Sequence, residues 1–142
     1  PGPVPRATVE EAVRAATAAG RAHRWLFVAV DSPAGRQRVR AALATDQIPD
    51  AAPLLVVPCA PSDGADLLAA GRTIQDLLLA LHAQTVACAW TAASPAEGRA
   101  ILDALELAGE PIPLGVVAAG PMPESGASPP RPPDLAEPLR WR

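Results

Sequence analysis

The chain reads as an α/β (α+β) domain with a small central sheet of about four strands flanked by helices. Two observations predict this. Four short apolar runs, Trp25–Val30, Leu54–Cys59, Val86–Trp90 and Leu114–Ala119, have the length and composition of strands, with turn residues around most of them. Between them lie segments with apolar residues at helical spacing, two of which open on a serine followed by proline. Strands and helices alternate, so each helix can cover the sheet beside it.

Taken in order, Pro1 to Pro5 is proline-rich and extended. Thr8 is placed to cap a first helix, with Glu11 three residues on at capping-box spacing. Val9, Ala12, Val13 and Ala16 form its apolar face, and Gly20 ends it. The run Trp25–Val30 reads as a strand buried on both faces. Ser32 caps a second helix, with Pro33 at its first position, running to about Ala44. Leu54–Cys59 is a second buried strand. Pro58 within it has no amide hydrogen, so the ladder must open there or the strand must lie at an edge.

From Ala65 to about Gln84 runs a helix carrying Leu67, Leu68, Ile74, Leu77, Leu78 and Leu81. Gly71 interrupts it, which allows a separate first turn. After Thr73 it is apolar nearly all round, as expected of a central helix or an oligomer interface. Val86–Trp90 is a third strand. Ser94 and Pro95 open a helix that ends at Gly109, and Leu114–Ala119 is a fourth strand. Residues 1–120 then form the domain, and 121–142 a proline-rich tail suited to packing on a partner subunit.

Composition narrows the function classes. The 142 residues are 49% hydrophobic, much of it alanine, so the core is thin per residue and a partner subunit could complete it. The net charge is -3, and no basic stripe with interleaved aromatics points to nucleic acid. No apolar run approaches the ~20 residues needed to span a bilayer, and nothing resembles a signal peptide. Cys59 and Cys88 sit in apolar contexts and read as core thiols in a reducing cytoplasm. Two Cys and two His at these spacings do not make a metal site. No Ser/His/Asp order, phosphate-binding glycine loop or carboxylate pair stands out, so no catalytic residue is assigned.

Several segments, in order, resemble the nitroreductase superfamily. Arg72-Thr73-Ile74-Gln75-Asp76-Leu77-Leu78-Leu79-Ala80-Leu81-His82-Ala83 resembles its central "iQN-LLLAAHA" helix, and Val86-Ala87-Cys88-Ala89-Trp90 its "GLGSCW" segment. Ile112–Gly120 is similar to "PLGAVAVG", and Pro129–Pro133 with Leu139–Arg142 to the "RPPR" tail. Ala52–Cys59 is close to "APYLVVPC", and Arg24–Val28 to "RPWRFV". The combination is most similar to the C-terminal domain of actinobacterial coenzyme-deazaflavin γ-glutamyl ligase.

The resemblance implies a homodimer with interleaved helices, or pairing with a paralogous subunit, and FMN-dependent reduction of a small-molecule redox substrate. In the deazaflavin branch the substrate would be a dehydro precursor of the deazaflavin cofactor. The alternative it leaves open is a degenerate, non-catalytic partner subunit or a flavin- or deazaflavin-binding scaffold. Carried over residue by residue, the positions that match cofactor contacts are Arg21, His23 and Arg24 before the first strand, Thr91 and Ala92 after the third, and Arg131 in the tail. A guanidinium such as Arg131 can take a phosphate bidentately. The family's Arg-Arg-Ser phosphate motif would align before Pro1. Thr45 to Ala52 stands where the family carries a longer segment, so the resemblance implies a truncated domain.

Overall fold

The computed structural model describes residues 2–18, 24–44, 46–62, 67–109 and 111–123. Four helices and five strands follow one another: α1 (Arg6–Thr17), β1 (Leu26–Val30), α2 (Pro33–Ala41), β2 (Leu54–Ala60), α3 (Leu67–Ala83), β3 (Val86–Ala92), α4 (Pro95–Ala104), β4 (Ile112–Pro113) and β5 (Gly115–Pro121). The strands form one sheet in the order β1-β2-β5-β3, with β4 beside β2. Every pairing is antiparallel.

Strand alternation sends side chains to two faces, and each face has its own core. On one, Val9 and Ala12 of α1 and Leu77 and Leu81 of α3 meet Leu54, Val56 and Val117. On the other, Val39, Leu43 and Ile101 meet Leu55, Val57 and Val116. All seven residues of β2 are buried, as its composition predicts for a central strand.

The strand β1 departs from expectation. Only Val30 is buried in it, and Leu26 is 42% exposed. The cause is position: β1 pairs with β2 alone and ends the sheet. An apolar run cannot tell an edge strand from a central one.

The helix α1 begins at Arg6, two residues before the expected cap at Thr8. Pro5 is the N-cap, with no side-chain cap bond. Its carbonyl accepts from the amides of Thr8 at 3.1 Å and Val9 at 3.4 Å, so Thr8 is already inside the first turn. Glu11 does not close a capping box; it pairs with Arg14 at 2.6 Å. The helix stops at Thr17, and Gly20 lies outside the described residues.

Gly71 does not divide α3, which is continuous from Leu67 to Ala83. The helices α2 and α4 end at Ala41 and Ala104, short of the expected Ala44 and Gly109. Both serine caps are present: Ser32 accepts from the amide of Gly35 at 3.2 Å, and Ser94 from that of Glu97 at 3.3 Å.

The proline in β2 shapes the other side of the sheet. Beside β2, β5 pairs only from Leu54 to Val56, and β4 takes over at Cys59 and Ala60. Between them the Pro58 carbonyl accepts from the amide of Leu114 at 3.0 Å. The N and C=O of one strand residue point to the same side, so the missing donor of Pro58 faces this changeover. The ladder opens there, one of the two outcomes its sequence position allows, and this side of β2 is covered in two pieces: β4, which lies ahead of the expected fourth strand, and β5, which starts one residue after its expected beginning at Leu114. Gly115 begins the second piece at φ 133°, a conformation that favours glycine.

Candidate functional site

One end of the sheet collects the start of β1, the end of β2, the β4–β5 changeover and the end of β3. The registers fix this: Leu26 lies opposite Cys59, Cys59 opposite Pro113, and Ala92 opposite Gly115. The chain passes from α3 directly into β3, so the first turns of α3 lie toward this end as well.

Gly115 is the tightest point. A Cβ built on it would lie 2.1 Å from the Thr91 carbonyl oxygen, 2.6 Å from the Trp90 Nε1 and 2.9 Å from the Ala92 Cα. Only hydrogen fits, which lets β3 and β5 close together and lays the Trp90 indole beside a residue with no side chain. Trp90, a core residue by its apolar setting, is 41% exposed. Across the sheet, Trp25 and Phe27 stack with ring centroids 6.1 Å apart.

Of the six residues expected to contact a cofactor, Arg21, His23 and Arg131 lie outside the described residues. Arg24 is exposed just ahead of β1. Thr91 and Ala92 do not follow the third strand; they are its last two residues, opposite Val116 and Gly115. The expected strand stopped at Trp90 because Thr91, Ala92 and Ala93 carry no apolar alternation, yet pairing with β5 extends β3 to Ala92. Arg24 and Ala92 therefore share an end of the sheet but sit at opposite edges, roughly 14 Å apart at three strand spacings.

Other polar residues of the sequence do not converge here. His82 and Gln75 are exposed on α3, and Asp76 pairs with Arg72 at 3.7 Å. Among the described residues, no group of three His, Cys, Asp or Glu could hold a metal. Burial pushes the Cys59 thiol up to about 11 and raises that of half-buried Cys88, whose Sγ lies 3.5 Å from the Leu78 carbonyl oxygen. Neither is a thiolate near neutrality.

A cavity of about 800 Å³ lies elsewhere, bordered by α2 and by Leu43, Asp46, Ile48, Pro49 and Asp50. Its arginines are structural. Arg40 donates to the carbonyls of Pro49 at 2.7 Å and Asp50 at 3.0 Å, and Arg36 to that of Pro53 at 3.0 Å. Asp46 and Asp50 line the same cavity and offset their charge. Sequence reasoning did not find this clamp, whose only signal was two arginines one helical turn apart.

No protein-family model and no curated protein matches the chain. Solved structures do. A protein described as an NADH dehydrogenase/NAD(P)H nitroreductase from Bacteroides thetaiotaomicron superposes with a TM-score of 0.80 at 23% identity, over 99% of this chain and 86% of that one. An FMN-dependent nitroreductase from Clostridium difficile gives 0.78 at 16% identity, over 99% and 89%. A nitroreductase-like family protein from Bacillus cereus gives 0.70 at 16%, over 99% and 87%. The chain has a nitroreductase-like fold. Among the described residues, no helix is long and apolar enough to cross a membrane.

Proposed function

We propose that the chain is an FMN-dependent oxidoreductase of nitroreductase type that reduces a small-molecule substrate and works as a homodimer. The likeness to nitroreductase-family structures across 99% of the chain carries this reading. FMN, when bound, supplies the hydride chemistry; the protein must bind, orient and shield it. The end of β3 offers a candidate surface for the flat ring, since Ala92 and the Trp90 indole are both exposed there. Arg131 supplies a candidate cation for the phosphate, and Arg21, His23 and Arg24 candidate polar contacts to the ring.

The dimer reading draws on α3, where Leu68 is 85% exposed and Leu79 57%. Apolar side chains this exposed on one helix suit a subunit interface. Free Cys59 and Cys88 suit a reducing cytoplasm.

Purified protein should be yellow, or quench FMN fluorescence on titration, and should oxidise NADH or NADPH in the presence of a nitroaromatic acceptor. A colourless protein that leaves FMN fluorescence unchanged would sink the proposal. Arg131→Ala should weaken FMN binding by about 1.5–3 kcal/mol and leave riboflavin, which lacks the phosphate, unaffected. Reduction of a deazaflavin precursor is a finer version resting on the sequence resemblance, and titration with a deazaflavin tests it.

A second reading is a non-catalytic partner subunit or a flavin- or deazaflavin-binding scaffold. It is favoured by the pairing of Thr91 and Ala92 with Val116 and Gly115 along β5. Flavin binding without NAD(P)H turnover selects it.

A further inference from the structure

A smaller cleft, about 500 Å³ in volume, opens between α4 and β4. Its floor is closed: Leu102, Gly98 and Pro113 are all buried. A Cβ built on Gly98 would lie 3.4 Å from the Pro113 carbonyl oxygen, so helix and strand meet there. At the rim stand Ile112, 40% exposed, and Arg99, the residue after Gly98 along α4, also exposed. Among the described residues Arg99 is the one charged side chain that lines the cleft, so no carboxylate opposes it. The larger cavity differs, since Asp46 and Asp50 stand there beside its arginines. Arg99 also differs from the other described arginines. Arg6, Arg14 and Arg72 pair with carboxylates, and Arg36, Arg38 and Arg40 donate to backbone carbonyls. Arg24 is engaged as well, whereas Arg99 has no hydrogen bond or ion pair.

We infer that this cleft binds a small apolar carboxylate, with its hydrocarbon body against Leu102, Ile112 and the flanking prolines and its carboxylate on Arg99. Small-molecule sites combine mainly apolar walls with a few polar groups that fix orientation, and this cleft has that make-up. Covering the exposed part of Ile112 and filling the floor at Leu102 removes apolar surface from water, which favours a hydrocarbon body. The unpaired guanidinium sets the sign and shape of the polar end, because its planar fork matches a carboxylate through two parallel N–H···O bonds. A phosphate fits less well. Its second charge would lie against apolar walls with no further cation to meet it. The surface proposed for the flavin ring, at Trp90 and Ala92, uses none of these residues, so the two sites stand or fall separately.

The test titrates the whole chain with 2-naphthoate and with its uncharged analogue 2-naphthamide, followed by naphthalene fluorescence anisotropy and by backbone amide NMR shifts. In wild type 2-naphthoate should bind saturably, shift the amides of Gly98, Gly109 and Ile112, and bind more weakly as salt is raised. Naphthamide should bind about three- to tenfold more weakly than naphthoate. Arg99→Gln should abolish that preference and keep the wild-type urea midpoint, because Arg99 holds no other group. Ile112→Ser should weaken both ligands. Naphthoate that binds Arg99→Gln as tightly as wild type overturns the inference. So does a wild type that binds no naphthoate, a set of shifts confined to other parts of the chain, or an Ile112→Ser protein with unchanged affinity for both ligands. A chain that binds no FMN yet passes these tests keeps the carboxylate site and loses only the flavin reading. Competitive displacement of naphthoate by FMN would make the cleft part of the flavin site and overturn the inference while leaving that reading intact.

Discussion

Gly71 and Gly115 show how differently one residue type behaves in two backbones. Nothing lies within 4 Å of a Cβ built on Gly71, and the helix runs through it unbroken. Alanine there removes unfolded-state freedom and raises helix propensity, so Gly71→Ala should stabilise the fold by about 0.5–1 kcal/mol. At Gly115 a methyl group meets the Thr91 carbonyl at 2.1 Å in a backbone with φ 133°. Gly115→Ala should cost about 2–4 kcal/mol, by urea denaturation of both variants. Equal midpoints for the two would contradict the geometry. Sequence ranked these glycines the wrong way round: Gly71 stood out as a break in an apolar pattern, whereas Gly115 lay unmarked inside a strand-like run. The difference is one of tertiary approach, which no local pattern encodes. Cys59 gives a residue-scale test of burial. Its thiol is pushed from 9.0 to about 11, so the folded state holds it neutral where the unfolded chain would ionise it. Its stabilising contribution is complete below pH 9.0 and is lost as pH rises toward about 11. At pH 8, native protein should leave Cys59 unlabelled by iodoacetamide, and urea should expose it. Rapid native labelling would place the thiol nearer solvent.

Among the helix starts, that of α4 was the most legible from sequence and that of α1 the least. Ser94 and Pro95 state their roles locally, and the structure adds Glu97, which completes a capping box with Ser94. The start of α1 was misread because Thr8 and Glu11 have the right types at the right spacing, while Pro5 supplies an extended N-cap three residues before the expected one. Propensity named a cap, and the fixed geometry of proline chose another. The Glu97 carboxylate does more than its motif implies. One oxygen accepts from the Ser94 amide at 2.7 Å, and the other from the Ala44 amide at 2.8 Å. It thus joins the start of α4 to the turn after α2. These bonds favour the ionised form and hold its pKa below the usual 4.5, first through Ser94 and then through Ala44. A depressed carboxylate adds stability above its unfolded pKa and loses it as pH falls through the folded value. The gap in thermal midpoint between wild type and Glu97→Gln should be widest above pH 4.5 and close on acidification below it. A gap independent of pH would show that the charge is not what these bonds serve.

For the whole molecule, layer order was legible and edges were not. Alternating strands and helices foretold helices on both sides of a sheet, which is what the two cores show. Which strands lie at the edges depends on pairing between distant segments, so β1 looked central and proved exposed. The candidate site shares that difficulty. Arg24 and Ala92 were chosen from separate motifs, and only the register of four strands places them at one end of the sheet. The 41% exposure of Trp90 was not legible, because an apolar setting in sequence says nothing about how far along a strand its cover extends. The helix α3 shows the same ambiguity most usefully. Its leucines looked alike, yet Leu77 is fully buried and Leu79 is 57% exposed. The two residues therefore separate folding from assembly. Leu77→Ala empties part of the core under β2 and should lower stability by about 2–4 kcal/mol. Leu79→Glu removes nothing from that core, so a monomer should keep its circular dichroism and its urea midpoint. In the proposed homodimer, however, two carboxylates would be driven into an apolar contact. Leu79→Glu should then sediment as a folded monomer at concentrations where wild type is dimeric. A Leu79→Glu protein that remains dimeric would move the interface off this face of α3.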